Sequence, residues 1–264
     1  MVCCTTLLCG CKESMNTSQL ESIVTPHVRV CSCLEPKMAG NLKSPTARTY
    51  FGGQPYAESG DSWPSCPTCQ MELSFIFQAR FSETKYVPPE GVQLFTFFYC
   101  WKCSPWGLDD EDPGQWVVRF YSAPSDERAV RIQRETKDEY ETTPCSVEIE
   151  SAKSLPDWEG IDVYCPEAST LSAKLNDDEP WEPYSALVQQ ITGRDDYATM
   201  IGGYPRWVQS ESTPKCFQCN QLMEQFAQID SEDEAGLMWG DVGCVYLFCC
   251  RRHSSEIRFE LQCH

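Results

Sequence analysis

The sequence predicts a β-rich α+β fold made of two pseudo-duplicated lobes, each an antiparallel sheet pinned by a zinc knuckle. Three observations predict it. One set of residues recurs at a fixed offset along the chain, close cysteine pairs recur within that set, and segments rich in aromatic and β-branched residues flank the pairs.

The offset is 150 residues. Gly52-Gly53-Gln54-Pro55 returns as Gly202-Gly203-Tyr204-Pro205, Pro64 as Pro214, Cys66 and Cys69 as Cys216 and Cys219, Gln78 as Gln228, Phe98 as Phe248, and Cys100 as Cys250. No gap is needed between Gly52 and Ser104 or their counterparts. Each Gly-Gly suits a tight turn with positive φ, and the proline that follows ends any helix. The same motif lacks the spacing and basic support of a phosphate-cradling loop.

The repeat selects which of the 18 cysteines form a pattern. Cys66-Pro67-Thr68-Cys69 pairs with Cys100-Trp101-Lys102-Cys103, and Cys216-Phe217-Gln218-Cys219 pairs with Cys250-Arg251-Arg252-His253. The exchange of Cys103 for His253 suits zinc, for which thiolate and imidazole are both good ligands; a disulfide would not survive it. Two structural zinc ions are expected, one held by Cys66, Cys69, Cys100 and Cys103, the other by Cys216, Cys219, Cys250 and His253. Vestigial knuckles or simple buried thiols are the competing interpretation. Cys249 rivals Cys250 as the ligand preceding His253, and register favours Cys250. Cys244 and Cys263 read as small buried thiols, and His27 and His264 as surface residues.

Leu73–Gln78 and Val92–Tyr99 read as strands of the first copy, and Met223–Ile229 and Val245–Phe248 as their counterparts. Trp116–Tyr121 and Ile257–Leu261 alternate as further strands. The expected boundaries are a Cys-rich segment 1–44, a first repeat 45–123, an acidic connecting segment 124–199 and a second repeat 200–264. Segment 1–44 holds six cysteines, Cys3, Cys4, Cys9, Cys11, Cys31 and Cys33, and reads as poorly ordered apart from a helix near Thr17–Ile23. A second helix is expected over Tyr184–Thr192. The acidic stretches Asp109–Asp112 and Asp230–Glu234 lack a calcium-loop pattern and read as solvated loops.

With 39 Asp and Glu against 21 Lys and Arg, the formal charge is -18. Such a field disfavours nucleic acid and anionic membrane and favours a basic protein partner. No apolar run reaches the ~20 residues that span a bilayer. Absent a secretory signal, the cysteines imply reducing cytoplasm and metal binding rather than a disulfide scaffold, with lipidation of an N-terminal cysteine at Leu8-Cys9-Gly10-Cys11 as the alternative. Catalysis is disfavoured: four ligands close each expected metal site, and no Gly-x-Ser-x-Gly or His-Glu-x-x-His is present.

Ile201-Gly202-Gly203-Tyr204-Pro205 with Trp207-Val208-Gln209, Phe226-Ala227-Gln228-Ile229-Asp230-Ser231, Met238-Trp239-Gly240-Asp241-Val242-Gly243, and Tyr50-Phe51-Gly52-Gly53 with Trp63-Pro64 and Cys66 to Gln78 resemble the bacterial YwqG-like family of unknown function, over roughly residues 45–264. The chain is also distantly similar to the programmed cell death protein two family, without that protein's zinc-finger insertion. The resemblance implies a pseudo-duplicated α+β fold with no established enzymatic activity. It further implies an immunity-type protein that masks a cognate bacterial toxin, a nuclease being the target that suits an acidic surface, or alternatively an acidic chaperone for a basic ribosomal protein. A metal-dependent enzyme is the third and least favoured expectation.

Overall fold

The computed structural model describes residues 17–38, 44–107, 114–136, 140–194 and 198–264. Cys3, Cys4, Cys9, Cys11 and the acidic stretch Asp109–Asp112 lie outside these residues.

A helix over 17–24 (α1) leads into β1 (Arg29–Met38), followed by β2 (Tyr50–Phe51), β3 (Ser74–Arg80), β4 (Leu94–Tyr99), β5 (Trp116–Tyr121) and β6 (Cys145–Ser154). Three helices follow, α2 (Ile161–Tyr164), α3 (Pro166–Leu175) and α4 (Glu182–Thr192), and then β7 (Met200–Ile201), β8 (Glu224–Asp230), β9 (Cys244–Cys249) and β10 (Ile257–Gln262). The fold is β-rich α+β, and all ten strands join one sheet in the order β10-β9-β8-β7-β1-β6-β2-β3-β4-β5, every pair antiparallel.

The expectation of two lobes, each with its own sheet, is corrected by this continuity. The reason lies in the two strands that precede the repeated units. β1 comes before the first unit yet pairs with β7 of the second, Cys33 opposite Met200, while β6 comes before the second unit yet pairs with β2 of the first, Phe51 opposite Cys145. β1 and β6 then pair with each other along all ten residues. Segment 29–38, read from sequence as part of a poorly ordered stretch, is therefore a central strand. Pro36, a poor residue for such a position, lies beyond the short stretch where β1 also meets β7, so its missing N–H leaves no ladder bond unmade.

On either side of this central pair the outer strands follow the 150-residue offset. β3 and β8 carry the same irregularity, between Phe75 and Phe77 in one and Gln225 and Ala227 in the other. The repeated glutamine has a physical role in each. Gln78 Oε1 accepts from Tyr56 N at 2.7 Å and its amide donates to Arg48 O at 2.7 Å; Gln228 Oε1 accepts from Arg206 N at 2.9 Å and its amide donates to Ala198 O at 3.1 Å. Both are fully buried and tie the Gly-Gly loop to the sheet. Gly52 and Gly202 adopt positive φ, +59° and +75°. A Cβ on Gly52 would lie 2.3 Å from Thr142 O, which excludes any side chain there.

The sheet curls until its two wings face each other across one core, giving a nearly barrel-like layer. Phe226 of β8 meets Phe95 of β4 edge-on at 5.0 Å and Phe120 of β5 at 5.5 Å; Phe259 of β10 stacks on Trp116 at 5.4 Å. Leu261 N donates to Trp106 O at 3.0 Å, so the loop after β4 closes onto β10. The helices form a separate apolar cluster in which Leu20 and Val24 of α1 meet Leu155, Ile161, Ala168, Tyr184 and Leu187. α4 matches the expected helix closely and stops at Gly193, whose φ of +72° provides a left-handed cap. Segment 124–199, expected as an acidic connection with one helix over Tyr184–Thr192, thus also contributes a central strand and most of the helical layer.

Candidate metal centres

Each centre follows from the antiparallel pairing. Cys66 and Cys69 precede β3, and Cys100 and Cys103 follow β4; because Ser74 lies opposite Tyr99, the start of one strand and the end of the other are neighbours. The first turn is shaped by Gln70 N donating to Cys66 O at 2.9 Å, with Gln70 at φ +61°, and by Cys66 N donating to Met71 O at 2.8 Å. The second closes with Ser104 N donating to Cys100 O at 2.8 Å. In the other wing, Asn220 at φ +56° and its N–H bond to Cys216 O at 2.8 Å reproduce the first turn.

The structure brings all eight expected residues together, four and four. Cys66, Cys69, Cys100 and Cys103 form one group, Cys216, Cys219, Cys250 and His253 the other, and within each the ligand atoms lie within 4.8 Å of one another, a grouping that could hold a metal ion. Cys66 and Cys103 Sγ are 3.7 Å apart, Cys69 and Cys100 Sγ 3.5 Å, and Cys219 and Cys250 Sγ 3.7 Å. These separations are far beyond the ~2.05 Å of a disulfide. A tetrahedral ion with bonds of about 2.3 Å to sulfur has S···S edges of about 3.8 Å, and with one imidazole S···N edges of about 3.5 Å. His253 Nδ1 lies 3.5 Å from Cys216 Sγ and 3.6 Å from Cys250 Sγ, so the donor sets fit such an ion in both size and chemistry.

The electrostatics agree with that fit. Burial acts to raise the Cys66 thiol, yet N–H groups of Cys69 and Thr68 and the neighbouring thiols prevail and bring it down to about 7. Cys250 is lowered in the same sense, burial being opposed by the N–H groups of Arg252 and His253. By contrast, burial and then the adjacent thiols Cys66 and Cys69 push Cys103 up to about 11. In each group, then, at least one thiol is shifted toward the thiolate that a metal ion binds.

A family model described as a domain of unknown function (DUF1963) matches residues 49–263, a span that contains all eight residues. The chain belongs to the DUF1963 family. No curated protein matches it.

Within the DUF1963 domain, satellite clusters brace each centre. Tyr50, Leu73, Phe75 and Phe98 pack against Cys66 and Cys100, and Trp207, Met223, Tyr246 and Phe248 against Cys216 and Cys250. Arg258 lies 4.0 Å over the ring of Phe217, and Gln218 Nε2 donates to Glu256 Oε1 at 2.8 Å, fixing the exposed turn of the second centre. Cys249 is not part of the group: it is fully buried on the opposite face, 3.7 Å from Tyr86 Oη, and burial pushes its thiol up to about 12. Cys244 is also buried in the strand, its Sγ donating to Ile229 O, whereas Cys263 is half-exposed. His264 is exposed and His27 half-buried.

The Asp230–Glu234 stretch is only in part the solvated loop expected from sequence: Asp233 and Glu234 are exposed, but Asp230, Ser231 and Glu232 are half-buried. Glu232 N pairs with Leu237 O at 2.9 Å, Ala235 and Leu237 are buried beneath it, and Glu232 accepts a hydrogen bond from Thr199 Oγ1. Burial pushes its carboxyl up to about 7, against the Thr199 bond. Its surroundings are an acidic cavity of about 340 Å³ lined by Glu35, Glu148, Glu150, Asp230 and Glu232 at the central strand pair. Sequence reasoning missed this cavity because its walls come from β1, β6 and the β8 end, which no local pattern connects. No described helix is long and apolar enough to cross a membrane.

Proposed function

We propose that this chain is a non-catalytic protein-binding module stabilised by two structural zinc ions, an immunity-type protein that neutralises a basic bacterial toxin, with a nuclease as the target class. The observation that carries this reading is the pairing of two four-ligand centres with an acidic concave face. Four protein ligands leave no open position where water or substrate would be activated, so metal in these sites would act as a fixed strut. The acidic cavity and the formal charge of -18 supply a field that accelerates association with a basic surface and favours it over an acidic one. Within the DUF1963 family, the narrower YwqG-like assignment, a duplicated origin for the two wings and a cytoplasmic location all belong to this proposal.

The test is direct. The purified zinc-loaded protein is presented with the product of a neighbouring toxin gene, and binding is followed across a salt series. Tight binding that weakens steeply with salt, and weakens further in Glu148→Lys/Glu150→Lys, is the expected result. Binding that is absent or indifferent to salt would sink it, and selective recovery of one ribosomal protein from cells would transfer the same acidic face to the chaperone role.

A further inference from the structure

β1 carries a cysteine pair that neither four-ligand centre uses. Cys31 and Cys33 are two residues apart on one strand, so both thiols project from the same face of the sheet, opposite to Leu34, which enters the main core. Met200 stands directly across from Cys33 in the β1–β7 ladder. The three side chains form a compact cluster, 2%, 8% and 5% exposed, and line a cavity of about 30 Å³.

We propose that Cys31, Cys33 and Met200 bind a single Cu(I) ion. Two thiolates and a thioether form a soft donor set, which suits a soft monovalent ion; zinc would require further nitrogen, oxygen or thiolate ligands, and calcium and magnesium require oxygens. Charge balance favours the same ion. Binding releases the two thiol protons to solvent and leaves the ion and its thiolates with one net negative charge, next to Arg194, which lines the same cavity.

An approach route is built in. Cys33 also lines the cavity walled by Glu35, Glu148, Glu150, Asp230 and Glu232 together with Arg194, so one of the two thiols borders a predominantly negative space that concentrates cations. This inference does not rest on the protein-binding role; a chain that bound no toxin could still bind copper.

Protein whose two four-ligand centres are filled with zinc is reduced, freed of reductant under argon and titrated with Cu(I) against a chromogenic Cu(I) chelator. One ion per chain is expected to resist the competitor, with a sulfur-only shell in copper X-ray absorption and zinc unchanged at two per chain. Cys31→Ser/Cys33→Ser should abolish that ion, and Met200→Leu, which keeps volume and apolarity, should weaken it by about tenfold or more. Equal copper uptake by the wild type and the double-serine variant would place the metal on other cysteines and overturn the proposal. Copper that enters only as zinc leaves would overturn it too, as would a Cys31–Cys33 disulfide whose reduced form takes up no Cu(I).

Discussion

On the zinc proposal, single side chains decide whether each four-residue group holds an ion. Cys66 and Cys216 are the buried thiols of equivalent turns, so Cys66→Ser and Cys216→Ser should each lower zinc content, measured by atomic absorption, from two ions per chain to one. Loss of both ions from either variant would mean that the centres are not independent. Gln78 and Gln228 give a second residue-scale test. Replacement of either by Leu leaves buried backbone groups without partners, and a cost of about 1–3 kcal/mol per substitution is expected in chemical denaturation. Glu232 supplies the pH dependence. Its folded-state pKa lies above the unfolded value, so the native state holds that proton more tightly and the resulting stability, present at low pH, declines as pH rises toward and through about 7. Glu232→Gln removes this titration while keeping the acceptor for Thr199 Oγ1; its melting temperature relative to wild type should therefore improve between pH 5 and pH 8, and parallel pH profiles would refute the assignment.

At the scale of elements, aromatic contacts rather than metal hold the two wings together. Phe226 alone touches Phe95 and Phe120 across the core, and Phe226→Ala should cost about 3–5 kcal/mol with zinc content unchanged. The strands that carry the metal turns were legible in the sequence, since Leu73–Gln78 and Val92–Tyr99 are apolar and aromatic-rich and fall almost on β3 and β4. The eight residues of the two centres were legible too, because the turn geometry is local and the Cys103-to-His253 exchange marks the fourth position. β1 and β6 were not. Glu148 and Glu150 give β6 an exposed acidic face that reads as a linker, and Pro36 argues against a strand in β1; what makes both of them strands is pairing with each other across more than a hundred residues, which no local pattern encodes. The copper proposal has the same origin, as Cys33 and Met200 are neighbours only through the β1–β7 ladder.

For the whole molecule, the crossing of β1 and β6 makes the wings mutually dependent. Each wing ends against a strand that the chain provides from the other side of the repeat boundary. Residues 1–123 and 124–264 expressed separately should therefore fail to give dispersed, folded spectra, whereas co-expression should restore a complex; two independently folded halves would contradict this arrangement.

Synthesis on the ribosome inherits a timing problem from the same strand. β1 emerges early, yet one of its hydrogen-bonding edges waits for β6 and the other for β7, and the latter begins at Met200. Until then the nascent chain presents an unpaired ribbon with Cys31 and Cys33 uncovered, open to pairing with another copy or to oxidation. A chain built this way depends on the speed of translation and on nearby chaperones in a manner that a protein of two self-sufficient halves would escape.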